Sequence, residues 1–89
     1  AVRRIASSAA MSETRLQQAF QTALDLPPDT DWQSLAYAQH EHWDSLGHMA
    51  LVAEIEEAFD IMMDTDDVIA MSSYPVAVEM LRTRYDVDL

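Results

Sequence analysis

The 89 residues include no cysteine and no lysine, only one glycine, and three prolines. Without cysteine there is no disulfide framework and no thiolate metal site, so packing alone must hold the fold. Without lysine, five arginines stand against sixteen acids and the formal charge is −11. Such a chain repels phosphate backbones, which excludes direct nucleic-acid binding as a function class. Apolar runs are a few residues long, far below the roughly 20 that cross a bilayer, and no segment joins a basic flank, an apolar run and a cleavage site. No membrane association is expected, and the cytoplasm is the expected compartment. Gly47, Pro27, Pro28 and Pro75 supply too few corners for a turn-rich β architecture. Composition points to helices.

What is present is 49% hydrophobic residues, enough for one core, although a chain this short buries only about 60% of its unfolded surface and is marginally stable. The charge is unevenly spread. Residues 1–10 hold two arginines and no acid, and they read as a disordered leader or cloning remnant ahead of a start at Met11. Residues 11–89 form the single domain, with three arginines against all sixteen acids and a formal charge of −13.

Apolar spacing divides that domain into helices. Ser12 is a candidate cap for a first helix to about Leu24, in which Leu16, Ala19, Phe20, Ala23 and Leu24 recur at three- and four-residue steps. Pro27 and Pro28 forbid continuation and open a long loop packed by Trp32 and Leu35. A second helix runs from about Ser45 to Phe59 behind Asp44, with Leu51, Val52, Ile55 and Phe59 on one face and Glu54, Glu56, Glu57 and Asp60 elsewhere. Asp64, Asp66 and Asp67 mark the acidic start of a short third helix with Val68, Ile69 and Met71. Ser72 or Ser73 caps a fourth, with Pro75 in its first turn, Val76, Val78, Met80, Leu81 and Tyr85 as its apolar residues, and Arg82 and Arg84 at its end. The expected fold is all-α, a small four-helix bundle with a long loop between helices one and two and a short third helix.

Candidate chemistry is sparse. His40, Glu41 and His42, with Asp44 and His48 nearby, lack a standard zinc spacing, and solvated histidines account for them. An EF-hand starting at Asp64 would need glycine and glutamate where Ile69 and Pro75 stand. No metal is expected. Ser45 and His48 could pair as nucleophile and base, but a hydrolase also needs an orienting acid and oxyanion donors around a pocket, which so small a core leaves little room to build. No catalytic residue is assigned, and the chain is not expected to be an enzyme. A serine at a helix start is, taken alone, usually a cap or first-turn residue.

The ordered pattern is more specific. A helix, a long loop, Asp44-Ser45-Leu46 opening the second helix, the Leu51, Ile55 and Phe59 face with Glu54, Glu56 and Glu57, a short third helix and a capped fourth together resemble the acyl carrier protein family and its peptidyl and aminoacyl relatives. The likeness covers most of residues 11–84. It implies that Ser45 carries 4′-phosphopantetheine, transferred from coenzyme A by a phosphopantetheinyl transferase, and that an acyl or aminoacyl group rides on its thiol as a thioester. Having no cysteine, the chain would import that thiol.

The resemblance further implies that Asp44, Leu46, Met49, Glu56 and Glu57 meet acyl- or aminoacyl-loading and acyl-processing enzymes through basic docking patches, in a fatty-acid, polyketide-like or related pathway, and that the carrier is a monomer. Two positions depart from housekeeping fatty-acid carriers: Gly47 follows the Asp-Ser-Leu triplet where an acid is usual, and Ala50 replaces a commonly acidic position. The run Trp43 to Met49 looks more like free-standing bacterial carriers of specialised pathways. The competing reading is an acidic helical interaction module without a prosthetic group, and the residues alone leave both open.

Overall fold

In this computed structural model, four α-helices form: α1 (Val2–Leu24), α2 (Ser45–Phe59), α3 (Thr65–Ala70) and α4 (Tyr74–Arg84). One 3-10 turn, Trp32–Ser34, interrupts the connection from α1 to α2. The structure describes the backbone of residues 2–89 and the side chains of residues 11–89, so the leader expected at residues 1–10 lies outside the fully described residues. Among the described residues there is no strand, only an isolated antiparallel bridge between Ala36 and Ser73. The chain is all-helical, as its composition implied.

The apolar steps of α1 bury Leu16, Ala19, Phe20 and Leu24, and these pack chiefly on the Leu51, Val52 and Ile55 face of α2. Ser12 does not cap α1, because the helix is already under way there. At the other end of the chain, Ser73 is the cap of α4: its Oγ accepts from the Val76 N–H at 3.2 Å, with Pro75 in the first turn where its missing amide is harmless. The buried face of α4 is Tyr74, Ala77, Met80 and Leu81, whereas Val76 is 37% exposed. Leu35 is buried and Trp32 half-buried, packing the long connection as their spacing suggested.

Phe20 is the hub of the interior. Trp43 and Tyr74 meet its ring edge-on at centroid distances of 5.5 and 5.2 Å, and Trp32 does so at 6.1 Å. Trp43 is fully buried although it lies at the end of a polar loop, where no periodic pattern marks it as core.

A glycine-poor chain must stop its helices by other means. Asp25 and Asp60 follow the last residues of α1 and α2, and Asp86 lies two beyond α4, all with φ of 54° to 58° in the left-handed region. Aspartate tolerates that conformation better than most residues with a Cβ. After each stands an apolar residue that turns back to donate to the helix: Leu26 N–H to the Gln21 carbonyl at 3.3 Å, Ile61 N–H to Glu56 at 3.1 Å, and Val87 N–H to Leu81 at 3.0 Å. Asp25-Leu26 and Asp60-Ile61 thus close their helices in the manner of a Schellman turn, and Asp86-Val87 closes α4 with a bond one residue wider.

Helix α3 has little apolar attachment: Val68 is half-buried against the core, and its one fully buried residue is Asp67. Arg84 Nε bonds both of its carboxylate oxygens at 2.8 and 3.0 Å, and the Tyr85 hydroxyl donates to Oδ2. That hydroxyl in turn accepts from the Asp64 N–H at 2.8 Å. The Tyr85 bond is the main cause holding the Asp67 carboxyl below its ordinary range; burial opposes it and Arg84 adds to it. A depressed folded value contributes stability above the ordinary carboxylate range that disappears as pH falls through the folded value. The thermal stability of the wild type should therefore exceed that of Asp67→Asn by a margin that is full above about pH 5 and shrinks on further acidification. Melting curves of both proteins across the acid range check this, and a margin independent of pH would contradict it.

Candidate functional site

Burial of Trp43 fixes the path of the chain into α2. With its indole in the core, its backbone N–H donating to the His40 carbonyl and its carbonyl accepting from Ala38 N–H, both at 3.0 Å, the chain emerges at Asp44 and turns directly into the helix. Asp44 has extended backbone, and its Oδ1 accepts from the Gly47 N–H at 2.9 Å. This satisfies one of the orphan amides of the first turn. Ser45 is the first residue of α2; it is exposed, and its hydroxyl has no hydrogen-bond partner among the described residues. The alcohol is thus uncommitted to the fold, at the positive end of a 15-residue helix.

His48 is not its base. Nδ1 accepts from the Trp43 indole N–H at 2.9 Å, and Nε2 lies 2.7 Å from the Val68 carbonyl oxygen. The indole can only donate and the carbonyl can only accept, so the partners assign the neutral tautomer with its proton on Nε2. The Nδ1 lone pair that would take a proton from Ser45 is occupied. The ring also stacks on Trp43 at an interplanar angle of 17°. His48 is therefore a brace joining α2, the preceding loop and α3.

Between that loop, α2 and α3 runs an open groove of about 430 Å³, lined by Tyr37, Ser45, His48, Met49, Val68, Ile69, Met71 and Ser72. Its lining is predominantly apolar. Around the serine, Leu46 is 82%, Met49 61% and Ile69 76% exposed, so an alcohol, a groove and an apolar rim occupy one surface. A second groove of about 230 Å³ lies between α1 and α2, where Arg15, Gln18 and Thr22 face Glu54 and Glu57. None of its residues lines the first.

Of the positions singled out in the sequence, Ser45 and Met49 line this groove, and Asp44 and Leu46 are the exposed chain neighbours of Ser45. Glu56 is engaged elsewhere: its Oε2 accepts from the Met63 N–H at 2.9 Å, bridging the end of α2 to the segment before α3. Glu57 is exposed on α2 and borders the second groove. Tyr37, in the long loop, and Val68, Ile69, Met71 and Ser72, within residues 68–72, are groove residues that no local spacing joins to Ser45. His40 and His42 stack loosely at 5.6 Å, with His40 Nδ1 accepting from the His42 N–H at 3.2 Å. Among the described residues no group of three histidines or acids is placed to hold a metal ion. No helix among them is long and apolar enough to cross a membrane.

Gly47 has a structural reason. A Cβ there would stand 2.0 Å from the His42 carbonyl oxygen and 3.1 Å from Leu24 Cδ2. The loop backbone presses against the first turn of α2, so the tolerance for a side chain is nil. Gly47→Ala should destabilise the fold by about 1–3 kcal/mol despite alanine's better helix propensity, because backbone must move. Urea unfolding followed by tryptophan fluorescence measures this, and an unchanged or raised midpoint would contradict the contact.

No protein-family model, curated protein or solved structure matches this chain.

Proposed function

We propose that this chain is a carrier of the acyl-carrier type, with an acyl or aminoacyl group held as a thioester on 4′-phosphopantetheine attached to Ser45. The observation that carries the reading is the uncommitted, exposed Ser45 hydroxyl at the start of α2, beside an apolar groove. A phosphopantetheinyl transferase would join Ser45 Oγ to the phosphorus of coenzyme A's phosphopantetheine; the adenosine bisphosphate leaves, and the hydroxyl proton passes to the transferase. The partial positive charge at the start of α2 favours the phosphodiester so formed, while the Asp44 carboxylate opposes it in part. His48, with both nitrogens occupied, supports a serine that is modified by another enzyme rather than one that attacks substrates itself. In this reading the chain is no enzyme.

On the same reading, the helices form an acyl-carrier-like four-helix bundle with a long first loop. The exposed Leu46 and Met49, flanked by Asp44 and by acids along α2, meet basic loading and processing enzymes, with the net charge raising encounter rates at low salt. The carrier works as a monomer in the cytoplasm, since its serine surface must stay uncovered.

Incubation with coenzyme A, magnesium and a broad-specificity transferase should add one phosphopantetheine to the intact mass, and Ser45→Ala should add none. No gain with several transferases would overturn the carrier reading in favour of an acidic helical interaction module, and equal labelling of Ser45→Ala would overturn the assignment of the attachment to Ser45. That module would keep its partner binding in Ser45→Ala and lose it, in low salt, when Glu57 is neutralised.

A further inference from the structure

The two walls of the Ser45 groove are built differently. On one side, Tyr37 and Ser72 belong to strips joined by backbone bonds, Tyr37 N–H to the Ser72 carbonyl at 2.8 Å and Tyr74 N–H to Leu35 at 3.0 Å. On the other stands α3, which supplies Val68 and Ile69 and buries only Asp67. Apart from the half-buried Val68, its apolar fixings lie just outside it: Met63 before the helix is 9% exposed and Met71 after it 1%. Methionine side chains adapt readily to altered packing. Between these two pivots, the helix is held by polar clamps, His48 on the Val68 carbonyl and, from the end of α4, Arg84 and Tyr85 on Asp67 with Tyr85 also on the Asp64 N–H.

We propose that the C-terminal end of α4 is a latch on the groove: Arg84 and Tyr85, neither of which lines it, keep α3 closed through Asp67, and their withdrawal lets α3 swing outward as a unit about Met63 and Met71. Opening costs little apolar burial, because the half-buried Val68 is the one apolar side chain of α3 packed against the core, and water replaces each clamp partner. The free energy of opening therefore lies well below that of global unfolding, as for other locally cooperative segments. Anything that draws Arg84 or Tyr85 away, including a partner gripping that end of α4, enlarges the space beside Ser45. What such an opening serves rests on the carrier reading; the latch itself does not.

Amide hydrogen exchange on the unmodified protein tests it. In the wild type, exchange at Val68 and Met71 should be insensitive to low urea while that at Leu51 and Ile55 follows global unfolding. In Asp67→Asn, and in Tyr85→Phe, which removes one oxygen and keeps the ring, exchange at Val68 and Met71 should quicken about tenfold and stay insensitive to low urea. Should Asp67→Asn fail to fold, Tyr85→Phe alone decides. Unchanged exchange at Val68 and Met71, or exchange there that responds to urea as Leu51 and Ile55 do, overturns the latch. Because no phosphopantetheine is involved, failure here is separate from failure of coenzyme A labelling at Ser45.

Discussion

The edge-to-face contact of Trp43 with Phe20, at 5.5 Å, is the constraint on which the functional surface depends. A fully buried indole in the last position before Asp44 leaves the chain no choice of where α2 begins. The indole N–H cannot be buried without an acceptor, and His48 provides it. That bond turns the imidazole so that its other nitrogen reaches α3. One large aromatic side chain thereby sets the exposure of Ser45, the neutral state of His48 and the position of the groove's outer wall.

Much of this was legible in the sequence because it is local. Three- and four-residue apolar steps identified Leu16, Phe20, Leu24, Leu51 and Ile55, all of which are fully buried. The break at Pro27 and Pro28, the cap at Asp44 and the opening of α2 at Ser45 lie where prolines and an Asx cap place them. Less visible was whatever depends on partners distant in the chain. Trp43 shows no periodicity, and its burial is decided by Phe20, 23 positions earlier in the chain. Asp67 reads as an ordinary first-turn acid, yet it is buried by Arg84 and Tyr85. Ser12 has the chemistry of a cap but lies within a helix that begins further upstream. Gly47 stands out in the sequence only as a departure from a usually acidic position, whereas its reason is the approach of the chain's own His42 carbonyl.

Stability and access are apportioned differently across the fold. The α1–α2 core buries aliphatic and aromatic side chains, whose apolar contribution does not depend on the state of any acid. Helix α3 depends more on polar partners: one carboxylate, one guanidinium and one phenol, with His48 on the Val68 carbonyl. Removing a single partner there leaves a buried polar group unsatisfied, which is costly, whereas exposing the whole set to water is not. The wall of the groove is consequently firm against small perturbations and separable from the core as a whole.

The three aspartates in left-handed backbone alter how the acidity of this protein is to be understood. Asp25, Asp60 and Asp86 stand where most chains would place glycine, and each adds a negative charge at or just beyond a helix end already rich in carbonyl oxygens. Their placement answers to backbone geometry. Part of the electrostatic field that a visiting protein would sense is therefore punctuation: charge left over from ending helices without glycine, and spread around the molecule without regard to where Ser45 lies.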